Sequence, residues 1–260
     1  MMSHYNNYFR PTLRLRAFTP EEFSNGTLRD SVITCDDIIT IPSVYGGDTY
    51  RSLAKELYDC NAKYKEKLLI PWHKGHHLIA NDRFANGSWK KECTVMNGII
   101  DDMCKAFNIM PNATRVNIYC RKSGGLKSET KPFHYDRAAF TPGLAQNITI
   151  AASFGATREV GFRFTKYKFE PSQPWKNVPK GMGYVNLSVP CRNGSVYAFT
   201  RDVNCKFQHA VIPEATHVCG TNNSDKDRIS IIVWGTKMDL NIDDSTISAR
   251  QIPTPGELKR

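Results

Sequence analysis

The sequence predicts an α+β protein, a double-stranded β-helix (jelly roll) core buttressed by N-terminal helices. Three observations carry that reading. From residue 113 onward, eight short β-rich segments alternate with turn residues, at 114–120, 132–138, 147–154, 160–165, 184–189, 195–200, 207–212 and 228–235, the pattern of a closed or double-sheet β architecture. Ahead of them lie two stretches whose apolar residues recur at helical spacing. Between the fifth and sixth segments, Asn193-Gly194 is a strong hairpin-turn signal.

Taken in order, residues 1 to about 30 hold Arg10, Arg14 and Arg16 among several Pro, Gly and Asn residues and read as an irregular basic arm. A short strand is expected at 38–41. Asp48 is placed to cap a helix running to about residue 63, in which Tyr50, Leu53, Ala54, Leu57 and Tyr58 form one apolar stripe. A second stripe of Met96, Ile99, Ile100, Met103, Cys104 and Phe107 marks a helix over about 91–107. Between the helices, 70–77 and 81–87 read as a loop with turn chemistry and basic charge. Its Trp72 is a candidate for stacking on a nucleobase, the competing reading being a tryptophan packed on the strand core. Residues 166–183 read as a basic, proline-punctuated insertion. The expected organisation is therefore 1–112 (arm, helices and a nucleotide-recognition-like loop) packed on a core at 113–260, one structural domain overall.

With 260 residues, 40% of them hydrophobic and 23% charged, the chain is long enough to bury a full core. No apolar run approaches the length of a membrane span, so no membrane partner is expected. The N-terminal residues lack a basic-then-apolar signal pattern. Eight cysteines include no Cys-x-x-Cys pair, which suits reduced thiols in an intracellular protein, cytoplasmic or nuclear. A formal charge of +10 favours polyanionic partners, nucleic acid first.

The residues that carry chemistry begin with His134-Tyr135-Asp136. In an extended segment alternate side chains share a face, so His134 and Asp136 point to one side with Tyr135 behind them. With a distant third imidazole they make the two-histidine, one-carboxylate set of non-haem Fe(II) oxygenases, which leaves coordination positions for substrates. That third ligand is either His209 or His217. His209 lies within the β-rich segment 207–212 and is favoured, whereas His217 sits beside a Cys-Gly-Thr-Asn-Asn turn. In the last β segment Arg228, Ser230 and Trp234 share one face, and Ile229, Ile231 and Val233 the other. If the isoleucines pack on the helices, Arg228 points inward, and a buried guanidinium requires an anion, its planar fork suiting a carboxylate. Asn117 and Tyr119 repeat the arrangement on the first β segment. Together these groups describe a site for a metal-chelating dicarboxylate.

The ordered series Asn117-x-Tyr119, His134-x-Asp136, Ser153-Phe154-Gly155 with Gly161-Phe162-Arg163-Phe164, Asn193-Gly194-Ser195-Val196, Gln208-His209-Ala210-Val211 and Arg228-x-Ser230 resembles the AlkB-type branch of the Fe(II)/2-oxoglutarate dioxygenases over roughly residues 113–236. The resemblance implies that His134, Asp136 and His209 bind Fe(II), and that Arg228, Asn117, Tyr119 and Ser230 hold 2-oxoglutarate, with O2 as the other cosubstrate. It further implies hydroxylation of N-methyl groups on nucleic acid bases, with release of formaldehyde. Trp72, Tyr135 and Arg137 are then candidate substrate contacts. Trp234 stands where the family's last-strand motif, Arg-x-Asn-x-Thr-x-Arg, has its second arginine, and Asp136 is followed by Arg137-Ala138-Ala139 rather than by the acidic residues of the alkylation-repair members. The alternatives are a protein or small-molecule hydroxylase on the same scaffold, and a non-catalytic nucleic-acid-binding jelly roll.

Overall fold

The computed structural model describes residues 13–63, 70–72, 75–80, 92–119, 131–136, 146–164, 186–212 and 227–240. The chain is mixed α/β, mostly strands gathered in two sheets. In chain order the elements are β1 (Arg14–Ala17), α1 (Pro20–Ser24), α2 (Thr27–Asp30), β2 (Asp37–Ile41), α3 (Gly47–Lys63), β3 (Ile70–Trp72), β4 (Gly75–Ala80), α4 (Thr94–Phe107), β5 (Ile109–Tyr119), β6 (Lys131–His134), β7 (Ile148–Gly155), β8 (Arg158–Phe164), β9 (Asn186–Cys191), β10 (Ser195–Thr200), α5 (Arg201–Lys206), β11 (Phe207–Ile212) and β12 (Arg228–Lys237). The larger sheet runs β1-β2-β10-β7-β12-β5-β4-β3, and the smaller runs β6-β11-β8-β9.

The alternation of β12 decides how the layers stack. Ile229, Ile231 and Val233 join the helix-side core with Leu53, Leu57, Met96, Met103 and Phe107. Ile232 and Trp234 face the other way and pack with Phe162, Phe199 and Phe207, which come from both sheets. Burying such side chains supplies on the order of 1.5–3 kcal/mol each. The two long helices are joined end to side: the Glu56 carboxylate of α3 accepts hydrogen bonds from Val95 N (2.8 Å) and Met96 N (2.9 Å) at the start of α4, an anion at the positive end of the helix dipole. At the other end, the buried Lys237 ammonium donates to the carbonyls of Phe107 (3.2 Å) and Arg29 (3.3 Å), tying α4 and α2 to the last strand.

Several sequence expectations change here. Residues 14–30 are no irregular arm: β1 pairs in parallel with β2, and Thr19 and Glu22 form a capping box for α1. Arg14 and Arg16 pair with the buried Asp37. Residues 70–72 and 75–80 are strand rather than loop, and 81–87 lie outside the described residues. β3 pairs antiparallel with β4, Trp72 opposite Gly75, and β4 pairs antiparallel with β5; Pro71 is tolerated there because the outermost strand needs one fewer ladder donor. Tyr58, expected in the apolar stripe, is 42% exposed, and Cys60 takes the buried place. The Asn193-Gly194 turn joins β9 to β10, which belong to different sheets, so it carries the chain across the sandwich instead of closing a hairpin. Gly194 has φ +76°, and a Cβ there would strike the Tyr45 carbonyl, so glycine is required.

Candidate functional site

The site forms where the two sheets face each other. β6 and β11 are neighbours, and their register sets His134 directly opposite His209. Asp136 lies two residues past His134, just beyond the end of β6. Its peptide is clamped by Asn204 of α5: Asp136 N donates to Asn204 Oδ1 (2.9 Å), and Asn204 Nδ2 donates to the Asp136 carbonyl (3.1 Å). Asp136 Oδ1 is thereby placed 3.6 Å from His134 Nε2 and 3.6 Å from His209 Nε2. The ligand atoms of all three residues lie within 4.8 Å of one another, close enough for one ion to touch all three.

The electrostatics prepare these groups as ligands. Burial pushes the His134 imidazole down to about 4, with the charges of His209 and Lys131 acting the same way, so it is neutral near pH 7. Its Nδ1 lies 2.8 Å from the Pro132 carbonyl. A donor is needed there, which puts the proton on Nδ1 and turns the lone pair of Nε2 toward Asp136. Burial alone disfavours the Asp136 charge, but the adjoining His209 and His134 outweigh it and hold the carboxyl well below the usual range. The second oxygen, Oδ2, accepts a hydrogen bond from Trp234 Nε1 at 3.0 Å. A neutral His134 imidazole and an ionised, oriented carboxylate, with the His209 ring opposite, form a donor set suited to a divalent transition metal.

A narrow cavity extends from this cluster between the sheets. Its lining includes Asp136, His209, Asn117, Tyr119, Lys131 and Ser230. Arg228 is fully buried, with Nε donating to Ser153 Oγ (3.1 Å) and its guanidinium carbon 5.0 Å above the ring of Tyr119, a lining residue. Its Nη1 and Nη2, together with Asn117 Nδ2, Ser230 Oγ and His134 Nε2, have no hydrogen-bond partner among the described residues. Buried donors left in this state are costly, and a carboxylate is the group that would satisfy a guanidinium fork. The cavity itself is about 20 Å³, room for about one water, so admitting a diacid requires its lining side chains to move apart. A larger cleft of about 840 Å³ lies beside α1, α2 and α4. It shares no residue with the cluster.

Of the residues expected from sequence, His134, Asp136 and His209 come together, Asn117, Tyr119 and Ser230 line the adjoining cavity, and Arg228 sits over the Tyr119 ring. Tyr135 is buried and is not among the cavity's lining residues. Trp72 falls on the outermost strand of the larger sheet, two strands from β5, and its side chain falls outside what the structure describes. Arg137 and His217 lie outside the described residues. Sequence reasoning missed three contributors. Asn204 sits in a helical turn whose only signal is the Thr200 cap. Lys131 lines the cavity from β6, and burial pushes its ammonium down to about 8 against the opposing pull of Asp136. Arg115 lies with its guanidinium carbon 5.2 Å over the Trp234 ring.

The Trp234 contact has a measurable consequence. Trp234→Phe keeps an aromatic ring in the packing but removes the donor to Asp136. Loss of such an outer-shell hydrogen bond costs about 10–100-fold in metal affinity. Titration of Fe(II) or Co(II) into the two proteins checks this, and equal affinities would mean that the indole only fills space.

No model of a known protein family matches the chain, and no curated protein matches it. Solved structures do. The epimerase SnoN in complex with Fe3+, alpha ketoglutarate and nogalamycin RO is 14% identical, with a TM-score of 0.48, over 84% of this chain and 83% of that one. SnoN described as the non-haem alpha ketoglutarate dependent epimerase from nogalamycin biosynthesis is 13% identical, with a TM-score of 0.47, over 84% and 82%. A Pseudomonas putida prolyl-4-hydroxylase is 12% identical, with a TM-score of 0.39, over 77% of this chain and 92% of that one.

Proposed function

We propose that the protein is an Fe(II)- and 2-oxoglutarate-dependent oxygenase built on a double-stranded β-helix. The architectural reading rests on strand order: β5, β7, β10 and β12 fall in one sheet, and β6, β8, β9 and β11 in the other. The observation that carries the functional reading is the convergence of His134, Asp136 and His209 beside a cavity lined in part by Tyr119, over whose ring the buried Arg228 fork sits with Nη1 and Nη2 unpartnered among the described residues. A metal cluster alone fits many chemistries. A metal cluster with a buried cation further in fits a ligand that chelates at one end and is anionic at the other.

In this reading His134, Asp136 and His209 hold the iron. Arg228 receives the far carboxylate of 2-oxoglutarate, with Tyr119, Asn117 and Ser230 offering hydrogen bonds beside it. Iron so held supplies oxygen activation coupled to decarboxylation of 2-oxoglutarate to succinate, and delivers one oxygen atom to a C–H bond of the substrate. The chain's own work is positional. Trp234 and Asn204 fix the Asp136 carboxylate and backbone, the Pro132 carbonyl fixes the His134 ring, and Val160, Phe199 and Ile232 wall the cavity against water.

For the substrate, the finer reading is N-methyl groups of nucleic acid bases, supported by the resemblance in motif order and by the +10 charge. Incubating the protein with Fe(II), 2-oxoglutarate and a panel of methylated DNA and RNA, with nucleoside mass spectrometry and formaldehyde as readouts, tests it. Loss of methyl groups with matched formaldehyde supports it. Succinate formed with peptides or small molecules, and none with nucleic acid, transfers the activity to the hydroxylase alternative. Absence of 2-oxoglutarate binding under anaerobic Fe(II) would leave a nucleic-acid-binding protein without this chemistry.

A further inference from the structure

Arg115 stands beside the metal cluster on the inner face of the larger sheet. From Arg228 to Trp234 the pairing of β12 with β5 is regular, which sets Tyr119 opposite Arg228, Asn117 opposite Ser230 and Arg115 opposite Ile232. Alternate residues of a strand share a face, and Asn117, Tyr119, Ser230 and Ile232 all line the cavity. Arg115 therefore belongs to the same inward row, about 13 Å along the strands from the level of Arg228. Asp136 is held at the Arg115 side of that row. Trp234 Nε1 donates to its Oδ2 at 3.0 Å, and the Arg115 guanidinium carbon lies 5.2 Å from the centre of the Trp234 ring.

Stacking of this kind holds a guanidinium without using its donors. The indole face attracts the cation, while the five N–H bonds stay in the guanidinium plane, free to meet a ligand. Nε is buried and has no hydrogen-bond partner among the described residues. Burial disfavours the Arg115 charge, and Asp136 acts in the opposite direction. That support weakens once Asp136 is shared with a divalent ion, and a partly buried cation then calls for another anion. The two carboxylates of 2-oxoglutarate are assigned to Arg228 and to the metal. The remaining anion belongs to the substrate.

We propose that Arg115 anchors the substrate, and that its ligand is a phosphodiester adjoining the base that is oxidised. This rests on the nucleic-acid reading and adds to it a specificity-determining residue. The planar fork suits phosphate, and a phosphate contact fixes the strand's position without reading the base. Arg115 would thus select polynucleotides over free methylated nucleosides.

The test is binding of a single-stranded DNA with one N-methylated base, followed by fluorescence anisotropy at one fixed salt concentration. The protein is loaded with Fe(II) and 2-oxoglutarate and kept anaerobic. A second strand carries neutral methylphosphonates flanking the methylated base, and a third carries them at its far end. Arg115→Met is expected to weaken the all-phosphate strand about tenfold or more and to bind the flank-neutral strand no worse than wild type does. Arg115→Lys should recover part of the loss, and the 2-oxoglutarate charge-transfer band should titrate within about twofold of wild type. Equal weakening of the all-phosphate and flank-neutral strands would mean that the two changes act independently and would overturn the proposal. So would weakened Fe(II) binding with unchanged strand affinity, which would make Arg115 a support for Trp234 and Asp136. Should Arg115→Met fail to fold, the wild-type protein decides: flanking and far-end methylphosphonates that cost the same affinity overturn the proposal. Wild-type protein that forms the charge-transfer band but binds none of the strands removes the nucleic-acid reading, and the proposal with it, while leaving the oxygenase reading in place.

Discussion

Asp136→Ala is expected to abolish 2-oxoglutarate turnover, a loss beyond the 10–100-fold that removal of an outer-shell partner costs and on the order of 10³-fold or more. The carboxylate is the only acidic member of the cluster and lies 3.6 Å from both imidazoles, so without it only two imidazole donors remain for the metal. The fold is expected to survive, because Asn204 holds the backbone of residue 136 rather than its side chain. Succinate formation and Fe(II) binding, measured alongside circular dichroism, check this. Folded protein that turns over at the wild-type rate would remove the ligand assignment. Changing His134 or His209 to Ala should have a comparable effect.

Arg228→Met carries the second large effect and should move two quantities in opposite directions. The guanidinium is completely buried, with Nη1 and Nη2 unsatisfied among the described residues. Taking a charge out of water costs several kcal/mol, a penalty that an apolar side chain of similar volume does not carry. The ligand-free variant is therefore expected to melt no lower than wild type. Its affinity for 2-oxoglutarate should fall about 30-fold or more, because truncating one partner of a buried charged pair costs about 2–5 kcal/mol. Thermal melts without ligand and anaerobic titrations with it measure both. A large loss of stability with unchanged affinity would make Arg228 a structural residue held by Ser153 and Tyr119.

The site residues differ in how readable they were. His134 and Asp136 are two apart, and local geometry suffices to suggest that they act together. Asn117 with Tyr119, and Arg228 with Ser230, were legible because strand alternation assigns faces, and the opposite face of β12 does pack against the helices. Lys131 was missed because a lysine at the start of a β segment ordinarily reads as solvated. Only the β6–β11 pairing and the closeness of the second sheet reveal that it is enclosed. Arg115 and Trp234 are ordinary residues of β5 and β12 until the register brings Ala113 opposite Trp234 and Arg115 opposite Ile232, within stacking reach. The 70–80 segment misled because histidines, Gly75 and Pro71 weigh toward a turn, whereas the open edge of β5 supplied hydrogen-bond partners that no local pattern contains.

Local physics, readable from the order of amino acids, determined that this chain forms two amphipathic helices followed by a series of short strands, and which face of the last strand is apolar. Periodicity and backbone preference act over a few residues and leave their mark directly in the sequence. Which strands become neighbours, that the Asn193-Gly194 turn changes sheets, and that His209 comes to lie against a pair of residues more than seventy positions earlier were decided only by the tertiary structure. Those outcomes depend on pairing and burial between segments distant in the chain, where the energy comes from closing the sandwich as a whole.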